Sequence, residues 1–211
     1  MQKLIGAYAI ALALVLSGPV TAQTSEDAST SDAPGVPGLS MGTDAAQPCG
    51  PYVKEEFGDW QLRCVRAGET AEICQLYQLM QDEEGNSVAE FNIFPLPEGQ
   101  QAAAGANIVT PLETLLTANL RLAVDSGQGK VYPYSFCSQV GCFSRIGLTA
   151  DELASFRRGA AATVTIVPAA APNETVALTL SLSGFTAGYN ALVETEKARL
   201  EAQQSEGAAS E

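Results

Sequence analysis

Histidine is missing from this 211-residue chain, and basic residues are scarce. Without an imidazole, the chain cannot build a zinc site of the Cys/His type, a histidine-dependent catalytic triad or an imidazole acid–base pair. Lysine and arginine together number 11 against 24 acidic residues, which gives a formal charge of −13. Such a surface repels phosphate backbones and anionic lipid, so the composition argues against nucleic-acid binding. The acidity serves solubility, or an acidic face that meets a basic partner.

Long apolar runs are also rare. The one clear run, Leu4–Leu16, is too short to cross a bilayer, which takes about 20 residues. It follows Lys3 and precedes Val20-Thr21-Ala22, whose small residues at positions −3 and −1 predict cleavage before Gln23. The sequence therefore predicts a signal peptide over residues 1–22, a periplasmic or secreted location, and no transmembrane segment.

Composition divides the rest of the chain into three segments. Residues 23–51 are rich in Ala, Ser, Thr, Gly and Pro, with acids and no base, which predicts a disordered acidic linker. Residues 52–190 carry the apolar patterning of one folded domain of ordinary size. Residues 191–211 form a charged tail with helix-forming composition but a poor apolar stripe, so we expect a frayed or partner-dependent helix there.

Alternating apolar and polar residues predict strands along most of the domain. The first strand begins at Phe57 and places Trp60 and Leu62 on its inner face, where we expect them in the core. The cleanest strand covers residues 176–182. Further strands are predicted over residues 72–80, 88–94, 120–125 and 131–137 and around 164–166. Many short strands separated by turn residues favour an all-β, antiparallel sandwich.

One short helix stands out among these strands. Thr149 and Glu152 have the spacing of a capping box, in which each side chain bonds to the other residue's backbone. Arg157 and Arg158 suit the negative end of the helix, and Gly159 can close it. We expect this helix to cover one end of the sandwich.

Five cysteines in an exported chain predict disulfide bonds, with one cysteine left over. Cys64 ends one strand and Cys74 begins the next, so antiparallel pairing places them opposite each other. Cys137 and Cys142 flank a short hairpin loop, and the same reasoning pairs them. Neither pair has the two-residue spacing of a thioredoxin-like redox site. Cys49, in the linker, is expected to be unpaired within the monomer or to join two chains as a dimer.

Several short motifs stand at the ends of the predicted strands. They are Phe57-Gly58-Asp59-Trp60 followed by Cys64 and Cys74, Phe136-Cys137 with Gly141-Cys142, and Leu182-Ser183-Gly184-Phe185. Together they resemble the invasion-associated locus B family, exported bacterial proteins linked to host-cell invasion or the cell envelope. The resemblance spans roughly residues 57–193. It implies an immunoglobulin-like β-sandwich stapled by disulfides, an envelope location, and no catalytic residues.

The sequence contains short matches to catalytic and metal-binding motifs, but the residues around each match do not support that function. Residues 38–42 match the G-x-S-x-G nucleophile elbow of hydrolases, but they lie in the linker and no histidine exists to activate the serine. Residues 127–130 have the wrong spacing for a phosphate loop, and residues 82–84 lack the glycine and final glutamate of a calcium loop. Three acids could supply the paired carboxylates of a glycosidase only if a cleft joined them: Glu55, Glu56 and Asp59. We predict no catalytic residue, no metal site and no cofactor.

Three aromatic residues form the best candidate contact patch. Tyr132, Tyr134 and Phe136 alternate on one predicted strand and would attract a partner if that face is exposed. The favoured function is a non-enzymatic interaction protein of the cell envelope that promotes host-cell contact or invasion by binding a protein partner. The alternative is a periplasmic accessory or assembly factor, and a histidine-independent envelope hydrolase is the least favoured. A binding role predicts an exposed apolar face and no deep polar pocket with converging titratable groups.

Overall fold

The computed structural model describes residues 50–67 and 71–209. The predicted signal peptide, nearly all of the predicted linker, the G-x-S-x-G motif and Cys49 lie outside the described residues. The described part contains eleven β-strands and two α-helices. The strands are β1 (Tyr52–Phe57), β2 (Trp60–Ala67), β3 (Ala71–Gln81), β4 (Ser87–Pro95), β5 (Ala104–Thr110), β6 (Leu120–Val124), β7 (Lys130–Tyr132), β8 (Phe136–Ser138), β9 (Gly141–Leu148), β10 (Ala161–Ile166) and β11 (Val176–Ser181). The helices are α1 (Ala150–Arg158) and α2 (Phe185–Ala209).

The strands form one antiparallel sheet that folds over into two layers. Its main path runs β7-β6-β10-β11-β3-β4-β5-β9-β8, while β2 joins β3 and β1 joins β2. β3 belongs to both layers, because most of its length pairs with β2 and β4 while Gln81, its last residue, pairs with Thr179 of β11. β7 and β8, the two ends of the path, are separated only by residues 133–135. The predicted all-β, antiparallel sandwich is confirmed.

The inner faces of the two layers share one hydrophobic core. Trp60 is fully buried, as predicted, and meets Phe91 of β4 edge-on with ring centroids 5.8 Å apart. Phe185 also packs against the indole, with ring centroids 5.2 Å apart. Each large apolar side chain buried in this way stabilises the fold by roughly 1.5–3 kcal/mol relative to exposure.

The two helices close the core. α1 has the predicted capping box: Glu152 N–H donates to Thr149 Oγ1 (3.3 Å), and Thr149 N–H donates to Glu152 Oε2 (2.9 Å). Phe156 of α1 is buried in the core. α2 starts at Phe185, and its first turns are buried against β2 and β3 through Phe185, Tyr189 and Leu192. The beginning of this helix therefore completes the core, and the burial of Leu192 carries the core past residue 190, where the folded domain was predicted to end.

One predicted strand is wrong, and three strands had no predicted range. β9 (Gly141–Leu148) was implied only by the hairpin loop predicted between Cys137 and Cys142. Residues 131–137 divide into β7 and β8, because Pro133 has no N–H to donate to a ladder. β5 was missed because its inner residues include Ala104 and Ala106, whose small side chains give no visible alternation. β1 was missed because its central residues are charged and exposed, as suits a strand at the edge of a sheet.

Candidate functional site

Two of the motifs that carry the family resemblance meet at a seam, which we define as the place where β2 and β11 lie against the same edge of β3. Trp60 Nε1 donates a hydrogen bond to Ser181 O (2.9 Å). Gln78 Nε2 donates to the same oxygen (3.0 Å), and Ser181 N–H donates to Gln78 Oε1 (2.7 Å). The side-chain amide of Gln78 thus makes the hydrogen bonds that a neighbouring strand would otherwise make. It does so between the last pair of the β2–β3 ladder, Gln61–Tyr77, and the pairing of β11 with Gln81.

Two glycines allow the chain to pass through the seam. Gly58 and Gly184 have φ values of +59° and +83°, which L-residues with side chains rarely adopt. A Cβ atom on Gly184 would lie 1.9 Å from Phe57 O, and one on Gly58 would lie 2.9 Å from Ser183 O. The two motifs therefore interlock through backbone contacts that any other residue would obstruct, and their role is structural.

The acids considered for glycoside chemistry are engaged separately. Asp59 Oδ2, at the seam, accepts a hydrogen bond from Ser181 Oγ (2.6 Å). Glu56 Oε1, on β1, accepts from Gln61 Nε2 (3.0 Å), and Glu55 is exposed beside it. Asp59 lines a pocket together with Gln78 and Ser181, whereas Glu55 and Glu56 do not line it.

The first disulfide lies beside the seam. Cys64 and Cys74 are joined across β2 and β3 with Cα atoms 4.0 Å apart, and both are buried. Glu72 lies close to the two sulfur atoms, but these are bonded to each other and do not offer thiolates to a metal. Hydrogen bonds from Lys54 and Tyr52 hold the pKa of Glu72 below its ordinary value. This cluster stabilises the β1–β2–β3 corner.

The second disulfide staples the edge of the sheet. We call residues 136–143 the edge hairpin: β8, its turn and the start of β9. Cys137 is joined to Cys142, again with Cα atoms 4.0 Å apart, but Cys137 is exposed. Phe136 stacks on Phe143 with ring centroids 4.7 Å apart, yet 51% of Phe136 remains exposed. Val140, at the tip, is 78% exposed. The edge hairpin thus presents apolar side chains on β8 and in its turn, and a disulfide holds both in place.

The apolar surface of the edge hairpin continues for one strand across the outer face. Val109 of β5 lies opposite Phe143 and is half-buried. The next residue along the same row is Glu90 of β4, which is exposed and opposes Val109. The charge of Glu90 therefore bounds the apolar patch on the side of the sheet centre.

The predicted contact patch is divided by the structure. Tyr132 and Tyr134 are half-buried and pack against the core, so only Phe136 of the three is exposed. The segment between β7 and β8 is tied to β9, because Ser144 Oγ donates to Pro133 O (3.0 Å). Burial raises the pKa of Tyr134. The three aromatic side chains do not form one exposed face.

A half-open cleft of about 460 Å³ lies between the β6–β7 turn and α1. Its floor is made by Leu122, Leu148 and Phe156, which are buried. Lys130 and Arg158 lie on its polar rim. The glycine-rich residues 127–130, first considered as a phosphate loop, form the turn on one side of this cleft.

One carboxylate organises the polar wall of the cleft. Glu152 Oε1 accepts from Lys130 Nζ (2.7 Å) and Tyr132 Oη (3.3 Å), while Oε2 accepts from Thr149 N (2.9 Å) and Oγ1 (2.8 Å). Burial opposes ionisation of Glu152, but Lys130 and Thr149 outweigh it and hold the pKa below its ordinary value. Burial and the charge of Glu152 raise the pKa of Tyr132 to about 12. At neutral pH, Glu152 is therefore ionised and Tyr132 is protonated.

The second carboxylate of the cleft also has internal partners. Asp125 Oδ1 accepts from the backbone N–H groups of Ala160 (3.0 Å) and Ala161 (3.1 Å). Arg158, by contrast, is exposed and makes no side-chain hydrogen bond or ion pair within the described ranges. Titratable groups do converge here, so the expectation that no such polar pocket would exist is wrong for this cleft.

The acidic turn that was considered for calcium is held together by hydrogen bonds to the carboxylate of Asp82. Asp82 Oδ1 accepts from the N–H groups of Asn86 (2.8 Å) and Glu84 (3.1 Å), and Asn86 Nδ2 donates to Oδ2 (3.0 Å). These hydrogen bonds, chiefly those from Asn86, hold the pKa of Asp82 below its ordinary value. Asp82 therefore shapes the β3–β4 turn.

The fold and its two cross-strand bonds define a class, the disulfide-stapled antiparallel β-sandwich. The model of the family described as Invasion associated locus B (IalB) protein matches residues 60–193, and the chain belongs to this family. The fold is similar to the crystal structure of invasion associated protein B from Bartonella henselae, with a TM-score of 0.57 and 22% sequence identity. That match covers 68% of this chain and 97% of the other, and at this identity it shows a shared fold.

Two further findings bear on the chain. A search of curated proteins found no match. Within residues 50–67 and 71–209, no helix is long and apolar enough to cross a membrane.

Proposed function

We propose that the protein is exported and acts as a non-enzymatic interaction protein of the bacterial cell envelope, binding a protein partner through the edge hairpin. The observation that carries this proposal is the exposure of Phe136 on β8 and of Val140 in the turn, on a hairpin held by the Cys137–Cys142 disulfide. Strands at the edge of a sheet can pair with a second chain, and apolar side chains add affinity. A hairpin that is ordered before binding loses less conformational entropy on binding.

The chemistry of the cleft supports binding rather than turnover. Glu152 is ionised and bonded to four donor groups, so it is a poor general acid and has little capacity left as a base. Tyr132, with its pKa raised to about 12, holds its proton at neutral pH. Lys130 Nζ lies 2.7 Å from Glu152 Oε1, so its ammonium is already engaged in an ion pair within the fold.

We infer the location and the organisation of the chain from its composition and its family. The two disulfides and the family membership favour export. Cleavage before Gln23 then leaves residues 23–51 as an acidic linker ahead of the sandwich at 52–190, with residues 191–211 as a charged tail. A role in host-cell contact rests on the name of the family. The second candidate is a periplasmic accessory or assembly factor, in which the same hairpin binds another envelope protein.

Site-specific crosslinking tests this function. A photo-crosslinking amino acid is placed at Val140 and, as a matched control, at Val53 on edge strand β1, which is 45% exposed. After illumination of intact cells, we expect a discrete protein adduct at position 140 that is absent at position 53. Equal adducts at the two positions, or none at position 140 with or without host cells, would contradict the proposal.

The identity of the adduct separates the two candidate roles. An envelope protein captured from bacteria alone supports the accessory role. A host-surface protein captured only in the presence of host cells supports the contact role.

A further inference from the structure

We propose that the cleft between the β6–β7 turn and α1 binds a small amphipathic anion, with its apolar group on Leu122, Leu148 and Phe156 and its anionic group at Arg158. The site shares no residue with the edge hairpin, and it does not depend on the proposed function. An amphipathic anion here means a short aliphatic or aromatic group that ends in a carboxylate, sulfonate or phosphate.

The shape of the cleft suits a ligand of this size. Its volume of about 460 Å³ falls in the range of roughly 300–1,000 Å³ that is typical of small-molecule sites. Two rigid elements form its walls: a hairpin whose strands pair from Leu120–Tyr132 to Leu122–Lys130, and a capped helix. The cleft is therefore preformed, with an apolar floor and a polar rim.

The charges of the cleft favour an anion. Its two carboxylates, Asp125 and Glu152, are already bonded to backbone N–H groups or to neighbouring side chains. The guanidinium of Arg158 has no such partner in the described part of the chain, and the side chain of Lys130 is 58% exposed although it pairs with Glu152. An ammonium has three donors, so Lys130 can bond to a ligand while it keeps Glu152. Two cations are thus available, while Glu152 has partners on both of its oxygens and Asp125 has two on Oδ1.

A dissolved amphiphile fits the molecule better than a membrane surface does. The chain carries a net charge of −13, which repels an anionic bilayer over a wide area. A small ligand meets only the local field of Arg158 and Lys130. A planar guanidinium also holds a carboxylate or phosphate by paired hydrogen bonds, which fixes the orientation of the headgroup.

Decanoate, kept below its micelle-forming concentration, is the probe for this site, and decanol is its uncharged control. Binding to the purified, oxidised protein is measured by calorimetry and by the NMR signal of carboxyl-labelled decanoate. Arg158→Gln should weaken decanoate binding about tenfold or more, since a charge-assisted hydrogen bond is lost. Arg145→Gln removes the same charge from an exposed position on β9 and should leave binding unchanged. Decanol should bind more weakly than decanoate and should not respond to Arg158→Gln.

Two additional experiments test where decanoate binds and whether the ligand is a lipid headgroup or a free amphiphile. Ser155→Leu places a larger side chain on the wall of the cleft and should abolish decanoate binding while the circular dichroism and melting temperature stay those of the wild type. If that variant does not fold, the comparison of Arg158→Gln with Arg145→Gln decides. Sedimentation with phosphatidylglycerol vesicles tests a lipid headgroup as the source: vesicle binding that requires Arg158 assigns the site to lipid, and its absence assigns it to free amphiphiles.

Four results would overturn the proposal. They are no binding of decanoate, equal binding of decanol, equal losses in Arg158→Gln and Arg145→Gln, or full decanoate binding by a folded Ser155→Leu variant.

Discussion

The seam and the edge hairpin each have a disulfide nearby or within them, but the two disulfides have different roles. A disulfide joins neighbouring antiparallel strands within the edge hairpin, and another does so beside the seam, four residues along β2 from Trp60; in both, the Cα atoms are 4.0 Å apart. Beside the seam, Cys64 and Cys74 are buried in the same core as Trp60, and the polar groups of the seam bond to one another. At the edge hairpin, Cys137 and the neighbouring Phe136 are exposed. One disulfide completes the core, while the other holds an exposed strand in place.

This difference shows how to interpret the motifs that define the family. The Gly-Asp-Trp and Leu-Ser-Gly-Phe motifs have a full structural explanation, because their residues interlock at the seam. Phe136, in the motif around the second disulfide, stacks on Phe143 but keeps 51% of its surface exposed. An apolar side chain that the core does not need is a better guide to function than one that the core requires.

The largest expected difference between the two regions is in stability. Trp60→Ala removes a fully buried indole and its hydrogen bond to Ser181 O, and should lower the free energy of unfolding by about 3–5 kcal/mol. Phe136→Ala, at the edge hairpin, should cost about 1 kcal/mol or less. Urea denaturation under non-reducing conditions measures both. Equal losses would remove the contrast between seam and hairpin.

Removal of the Cys64–Cys74 disulfide should likewise destabilise the protein more than removal of the Cys137–Cys142 disulfide. The chain-entropy model gives each short loop roughly 2–3 kcal/mol. Cys64→Ala with Cys74→Ala also removes two sulfur atoms from the core, so this double variant should lose more stability than Cys137→Ala with Cys142→Ala. Thermal unfolding of the two double variants provides the comparison. A larger loss at the edge hairpin would mean that the second disulfide carries the fold.

Gln78 tests the polar half of the seam. Gln78→Leu keeps the volume but leaves Ser181 N–H without its 2.7 Å acceptor, which should cost about 1–3 kcal/mol. Gln75→Leu, on the outer face of the same strand, is the matched control and should be nearly neutral. Chemical denaturation of the pair would contradict the role of Gln78 if the two variants unfold alike.

A smaller, pH-dependent effect is expected at the cleft. The pKa of Glu152 in the folded protein lies below its ordinary value of 4.5, so its contribution to stability is present above that pH and is lost as the pH falls through the lowered pKa. Glu152→Gln should therefore be less stable than the wild type near neutral pH, and the difference should shrink below about pH 4.5. Thermal unfolding from pH 7 to pH 3 measures it. A constant difference would show that the charge of Glu152 is not the cause.

The sequence predicted the parts of the fold whose side chains alternate strongly in size and polarity. β2, β3, β4 and β11 and the capped helix α1 were all visible in this way. β5 was not, because Gly105 lies beneath the ring of Phe94, where a Cβ would come within 2.4 Å, and its neighbours on the inner face are alanines. The signal that could have found the break between β7 and β8 was Pro133, which cannot donate to a ladder.

The candidate sites were harder to predict than the strands. Phe136 was identified, but the exposure of Tyr132 and Tyr134 depends on how the link between β7 and β8 bonds to β9, a contact between distant segments. The cleft joins a hairpin turn to a helix about twenty residues later, as the hydrogen bond from Tyr132 to Glu152 shows. No local sequence pattern predicts that the hairpin and the helix come into contact. Tertiary packing decides which polar groups are occupied and which are free.

The most direct test of the central claim compares partner capture by two exposed apolar positions. Phe136→Ser and Val53→Ser both replace an exposed side chain on an edge strand, and each should change stability by no more than about 0.5–1 kcal/mol. With the photo-crosslinking residue at Val140, quantitative mass spectrometry reports the yield of the partner adduct in intact cells. We predict that Phe136→Ser lowers this yield about tenfold, as expected for an aromatic anchor, while Val53→Ser leaves it unchanged. An undiminished yield from a folded Phe136→Ser variant would contradict the assignment of the edge hairpin as the binding surface.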